Sequence, residues 1–169
     1  MVNNNQEELF LNDCWVLYFH DPSNNDWSNK SYKVIHTIST VQDWIQVEKS
    51  FSTLWNGGMF FLMREHIQPM WEDPYNRAGG CLSFKVNKPE AALYWFHLGC
   101  KTLGETLCKN KDWSDKICGI SISPKRNYCI LRIWLSTPEI NKVESYHLEA
   151  PHYTQIMYKP HAGQKDYEG

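Results

Sequence analysis

Residues 67–80, Ile-Gln-Pro-Met-Trp-Glu-Asp-Pro-Tyr-Asn-Arg-Ala-Gly-Gly, constrain this chain more than any other stretch. Pro69 and Pro74 each fix φ and remove a backbone donor, so neither a helix nor a central strand can run through them. Gly79-Gly80 then permits a sharp exit. A long loop must therefore hang between two regular elements, and it holds an indole, Trp71, beside a carboxylate, Glu72. An indole in a loop gives up burial, so a flat apolar partner has to come from the core or from a ligand. The adjacent carboxylate accepts two parallel hydrogen bonds from a donor–donor edge, such as a guanidinium or the N1–H and N2–H₂ edge of guanine. A loop Trp capping the core beside a solvated acid is also common, and two residues alone leave both readings open.

The flanking sequence reads as short strands with helices between them. Residues 14–20, 31–39, 59–63, 81–86, 117–123, 129–135 and 153–159 are rich in aromatic and β-branched side chains bounded by turn residues, and are expected as strands. Thr40 and Asp43 form a capping-box pattern opening a helix over 41–51, whose apolar positions 41, 44, 45, 47 and 51 share a stripe. Asn87-Lys88-Pro89 starts the longest helix, expected to reach Leu107, with Ala92, Trp95, Phe96, Gly99, Leu103 and Leu107 on one face. Thr137-Pro138-Glu139 opens a further short helix, and Pro124-Lys125-Arg126-Asn127 is a basic hairpin tip. Residues 21–30 form a turn-rich loop carrying a second loop indole, Trp27. The pattern predicts an α+β fold: a curved, mostly antiparallel sheet with helices packed on its convex face and the loops on the other. One domain over 13–162 is expected, between tails at 1–12 and 163–169.

Eight Trp, nine Tyr and seven Phe suffice for a core and leave rings over for a site. No run approaches the roughly 20 apolar residues of a membrane span, and residues 1–8 are polar and acidic, so a cytosolic or nuclear protein is expected. The six cysteines lack zinc spacing and read as reduced thiols, with no metal or cofactor. Charge is divided: residues 1–80 hold five basic against ten acidic side chains, and 81–169 hold twelve against nine. An anion is thus met by the second half. His66 with Glu72 and Asp73, or Cys118 with His147 or His152, would be the acid–base or nucleophilic groupings of an enzyme. Neither has an orienting third group, so no catalysis is expected.

Trp15 with Tyr18, Trp27, the helix start at 40–43, Ile67-Gln-Pro-Met-Trp-Glu-Asp73, Gly79-Gly80, Trp95 through Gly104-Glu105, Asp112-Trp-Ser-Asp-Lys-Ile-Cys-Gly119, Ile133-Trp134 and His161-Ala162 together resemble the eukaryotic translation initiation factor 4E family. The resemblance runs from about Trp15 to Ala162. It implies a protein that binds the 7-methylguanosine cap of mRNA on the concave side of the sheet, in translation initiation or its regulation. N7 methylation makes the purine cationic, so two indole faces gain stacking plus a cation–π contribution. By resemblance Trp27 and Trp71 are those faces, Glu72 takes the guanine N1–H and N2–H₂, and Trp134 lies near the N7 methyl. Lys125 stands at the family's phosphate-binding Arg, with Arg126 and Arg132 as further phosphate candidates. Cys81 and Ile130 replace two family cations, which predicts weaker triphosphate binding.

The family's partner surface also departs from pattern. Leu9-Phe10-Leu11 replaces a His-Pro-Leu segment, and an ungapped register puts Trp44 in the core and Ile45 at the partner-facing Trp position. His97 and Cys100 fall where a Glu and a Leu of that surface stand, and Val41 completes it. The implied partners are capped mRNA and, on the helical face, the initiation scaffold factor 4G or a repressor protein of atypical shape. The alternatives are an aromatic cage for another methylated cation and a repressor that binds cap without recruiting the scaffold.

Overall fold

The computed structural model describes residues 7–162. The expected tail at 163–169, and residues 1–6 of the other, lie outside these. Among the described residues are seven strands and two α-helices. The strands are β1 (Phe10–His20), β2 (Lys33–Thr40), β3 (Met59–Arg64), β4 (Gly80–Asn87), β5 (Ile117–Pro124), β6 (Tyr128–Leu135) and β7 (Met157–Pro160). They form one antiparallel sheet in the order β2-β1-β3-β5-β6-β4-β7. Register shifts within the β1–β2 and β5–β6 pairs mark bulges, which bend and twist a sheet.

Alternation along the strands sorts side chains to two faces. Trp15 and Leu17 of β1, Phe60 and Leu62 of β3, and Leu82, Phe84 and Val86 of β4 join the main core under the helices. Val16, Tyr18, Phe61, Met63, Cys81 and Trp134 form a second, smaller cluster on the opposite, open face. The α+β expectation, with helices on one side, holds.

Helix α1 (Val41–Phe51) begins where the sequence places it, on a complete capping box. The Thr40 hydroxyl accepts from Asp43 N at 3.1 Å, and Asp43 Oδ2 accepts from Thr40 N at 2.9 Å and Ser39 N at 2.9 Å. Partial burial disfavours the Asp43 carboxylate, but these donors outweigh it and leave its pKa below the ordinary value. A depressed folded value contributes stability that is present above the unfolded pKa and lost as pH falls through the folded one. Asp43→Ala should therefore cost about 1 kcal/mol near neutral pH. In denaturant titrations the gap to wild type should close as pH drops below about 4. A gap constant with pH would show that helix propensity, not the charged cap, sets the loss.

Four expectations need correction. The first strand starts at Phe10, not residue 14, because Leu9 O accepts from Val41 N and Phe10 pairs with Thr40, tying the end of the expected tail to α1. Helix α2 (Lys88–Leu103) stops short of Leu107: Gly104 caps it, and Glu105 turns left-handed at φ 54°. Leu107 is buried all the same, from the following loop. Residues 138–140 make a single 3₁₀ turn rather than a helix. The last strand begins at Met157, because 147–156 lie across α2, with Tyr153 Oη donating to Glu90 at 2.6 Å and Lys101 Nζ to the His147 carbonyl.

Candidate nucleic-acid interface

The loop between β3 and β4 is shaped by Asp73, not by its prolines alone. Its carboxylate accepts from Gln68 N at 2.9 Å and from Tyr75 N at 2.9 Å, bridging the segment that carries Trp71 and Glu72. Asn76, fully buried, donates to the carbonyls of Gln68 and Met70 at 2.9 and 2.7 Å. Gly79 packs so tightly that a Cβ would overlap the Leu135 carbonyl. With its backbone committed inward, the loop turns Trp71 outward, 42 % exposed, with Glu72 exposed next to it.

Trp27 is set by the loop between β1 and β2. Asx contacts hold the chain: Asp21 accepts from Ser23 N, Asn24 from Asp26 N, and Asp26 from Ser28 N. His20, fully buried at the end of β1, donates from Nε2 to the Asp26 carbonyl at 2.9 Å. Its ring lies flat on the Trp27 indole, with centroids 4.1 Å apart and planes 2° from parallel. One face of Trp27 is thus covered from within, and the indole remains 50 % exposed.

Ring contacts run from the Trp27 loop across the open face to His161, which is hydrogen-bonded to Asn76 of the other loop. His20 meets Tyr32 at 5.0 Å, Tyr32 meets Phe61 edge-on at 5.4 Å, Phe61 meets Trp134 at 6.1 Å, and Trp134 meets His161 at 5.1 Å. Burial pushes the Tyr32 phenol up to about 12, and the Glu72 carboxylate adds to the rise. Glu72 likewise acts on His161, which burial holds below its ordinary value. Trp27, Glu72 and Trp134 therefore gather toward the open face, and Trp71 precedes Glu72 in its loop.

Trp134 is only 8 % exposed and donates Nε1–H to the Ser121 hydroxyl at 2.9 Å, so it forms floor rather than wall. His161 stands behind it, Nδ1–H donating to the Asn76 carbonyl at 2.8 Å and Nε2 accepting from the Cys81 thiol at 3.1 Å. Burial pushes that thiol up to about 12, so Cys81 is a neutral packing group.

Of the phosphate candidates, Lys125 and Arg126 are exposed at the β5–β6 turn, whereas Arg132 is half-buried on the open face and donates to Ser123 Oγ at 3.2 Å. His20, Tyr32, Phe61 and His161 were missed as site residues. Alternation along β1 was the available signal for His20, since positions 16, 18 and 20 share a face. The grouping of Cys118 with His147 or His152 is not assembled. Cys118 faces the open side and its thiol is pushed up to about 12 by burial, while His147 and His152 belong to the segment crossing α2.

On the helical side, Trp44 is buried and lies parallel to Phe96 at 6.1 Å, over Gly99, where a Cβ would overlap the ring. Ile45 is 42 % exposed, with Val41, Leu9 and Phe10 also exposed beside the α1 start. Cys100 is exposed, and His97 pairs with Glu149 at 3.4 Å. The register that makes Trp44 core and Ile45 surface is the observed one.

The family model for eukaryotic initiation factor 4E matches residues 10–168. Eukaryotic translation initiation factor 4E-1 of Hordeum vulgare is 29% identical over 131 residues, 73% of this chain and 59% of that protein. Eukaryotic translation initiation factor NCBP of Oryza sativa is 33% identical over 107 residues, 59% of this chain and 45% of that protein. The chain thus spans about half the length of these relatives. Among solved structures, Ascaris suum eIF4E-3 in complex with m7G cap superposes with a TM-score of 0.69 at 25% identity, covering 81% of this chain and 78% of that one. A schistosome eIF4E complexed with m7GpppG and 4E-BP gives 0.71 at 22% identity, over 80% and 76%. With the family model covering nearly the whole chain and the same sheet-and-helix fold recurring in these structures, the chain belongs to the eukaryotic initiation factor 4E family.

Proposed function

We propose that this protein binds the 7-methylguanosine cap of mRNA, in translation initiation or its regulation, and acts by binding rather than catalysis. The observation that carries this reading is that two loop indoles, Trp27 and Trp71, are half-exposed and that Glu72, next to Trp71, lies close enough to Tyr32 and His161 of the open face to act on both. The cationic base stacks between the indoles, Glu72 takes its N1–H and N2–H₂, and Trp134 lines the floor near the N7 methyl. Lys125, Arg126 and Arg132 are the cations for the phosphates. Two stacks at about 1–3 kcal/mol each and two charged hydrogen bonds at about 1.5–3 supply on the order of 8 kcal/mol, or micromolar binding. Titration of Trp fluorescence with 7-methyl-GTP and GTP tests this. Strong quenching by the methylated nucleotide alone is expected. Equal response to both would sink cap recognition, and displacement by a trimethyl-lysine peptide would favour a general cage for methylated cations.

The helical face is the proposed partner surface, formed by Val41, Ile45, His97 and Cys100 with Leu9 and Phe10. The schistosome structure contains 4E-BP, and a further Caenorhabditis elegans structure is a complex with the 4E-binding protein Mextli. Here the anchor is an Ile, which lacks ring area and an indole donor, and aromatic anchors commonly supply about 2 kcal/mol or more. A standard scaffold-factor helix peptide should therefore bind at least about tenfold more weakly to wild type than to Ile45→Trp by isothermal titration. Equal affinities would show that Ile45 suffices as anchor. The site of action is proposed to be the cytoplasm or nucleus; no helix among the described residues is long and apolar enough to cross a membrane.

A further inference from the structure

Two arginines lose water in this fold, Arg64 almost wholly and Arg132 in part, and only one has its charge answered. Arg64 spends all its donors, on Asp13, Glu105 and the carbonyls of Ser114 and Ile117, at 2.7–2.9 Å. Arg132 sits in the middle of β6 with burial pulling its guanidinium below the ordinary value, and makes one hydrogen bond, to the Ser123 hydroxyl. No carboxylate pairs with it among the described residues. Desolvating a cation without a counter-charge is costly, and an anionic ligand removes that cost.

The surroundings are those of an anion subsite. Arg132 pairs in register with Ser83 on one side and Ser121 on the other, so small hydroxyl side chains flank it on the open face. Cys81 is the next position on that face of β4, opposite Trp134. Two residues from Trp134, Arg132 lies about 7 Å along the strand from the floor of the base site. Lys85 is level with Ile130, about 13 Å away, its ammonium 4.9 Å from the centre of the Tyr128 ring. The hairpin tip is level with Tyr128, since Lys125 N donates to the Tyr128 carbonyl, about 20 Å from Trp134.

Resting on the cap-binding reading above, we propose that the cap's phosphate chain runs along the sheet floor. Arg132, with the hydroxyls of Ser83 and Ser123, binds the first phosphate, and Lys85 meets the distal ones. Lys125 and Arg126 at the tip reach back over the distal end of that phosphate chain.

Affinities for 7-methylguanosine, 7-methyl-GMP, 7-methyl-GTP and a short capped oligonucleotide test this order. Arg132→Gln should lose about tenfold or more for the three phosphorylated ligands and less than about twofold for the nucleoside, with Arg132→Lys recovering part. Lys85→Gln and the Lys125→Gln/Arg126→Gln double variant should each weaken 7-methyl-GTP and the oligonucleotide while sparing 7-methyl-GMP. The proposal is overturned if the double variant takes the loss for 7-methyl-GTP while Arg132→Gln does not. It is also overturned if Arg132→Gln lowers all four affinities equally. Failure of wild type to prefer 7-methylguanosine over guanosine would instead sink cap recognition itself, a result read on ligands without phosphate.

Discussion

Trp71→Ala is expected to lower affinity for 7-methyl-GTP by about 30-fold or more while leaving the unfolding midpoint within experimental error. The loss corresponds to about 2 kcal/mol, one base–indole stack with its cation–π contribution. Stability should be spared because the indole is 42 % exposed and the loop backbone is held by Asp73, Asn76 and Gly79. Glu72→Gln should cost about tenfold, since the amide replaces one acceptor with a donor facing a donor edge. Unchanged affinity in Trp71→Ala, with the far-ultraviolet circular dichroism of wild type, would remove the sandwich from consideration.

The largest stability effect should come from Arg64→Leu. This guanidinium joins four parts of the chain: Asp13 in β1, Glu105 just after α2, Ser114 before β5 and Ile117 at its start. It also lies 4.4 Å over the fully buried Trp15 ring. Removing it leaves the mostly buried Glu105 carboxylate and two carbonyls without their donor. Breaking a buried pair from one side costs about 3–5 kcal/mol, much of the stability of an ordinary domain. Urea unfolding should show a fall in midpoint at unchanged slope. A loss under about 1 kcal/mol would show that water takes over the bonds.

Legibility of the sequence followed the range of the interactions. The α1 start was readable because its cap closes within four residues, Thr40 to Asp43. The Trp71 loop was readable because prolines and glycines act on their own backbone. The end of α2 was misplaced, since Leu107 continues the apolar stripe and only the capture of Glu105 by Arg64, across 41 positions, shows why the helix stops. His20 was passed over for the same reason: its partner is a ring seven residues on, brought back by a turn. The inward shift of Trp44 needed a matching glycine at 99 on another helix. Arg132 was named on the strength of its charge, but its lack of a carboxylate partner is a property of the fold.

The strand order has an electrostatic consequence. Because β1, β2 and β3 form one side of the sheet and β4 to β7 the other, the acidic first half of the chain and the basic second half become two flanks of one surface. A cap analogue is itself polarised, with a cationic ring at one end and phosphates at the other. Such a field would turn the ligand end for end before it touches an indole, base toward Glu72 and phosphates toward β4 and β6. On the proposed cap-binding reading, orientation would be settled during diffusion, and the expected signature is an association rate that falls with ionic strength while dissociation barely responds.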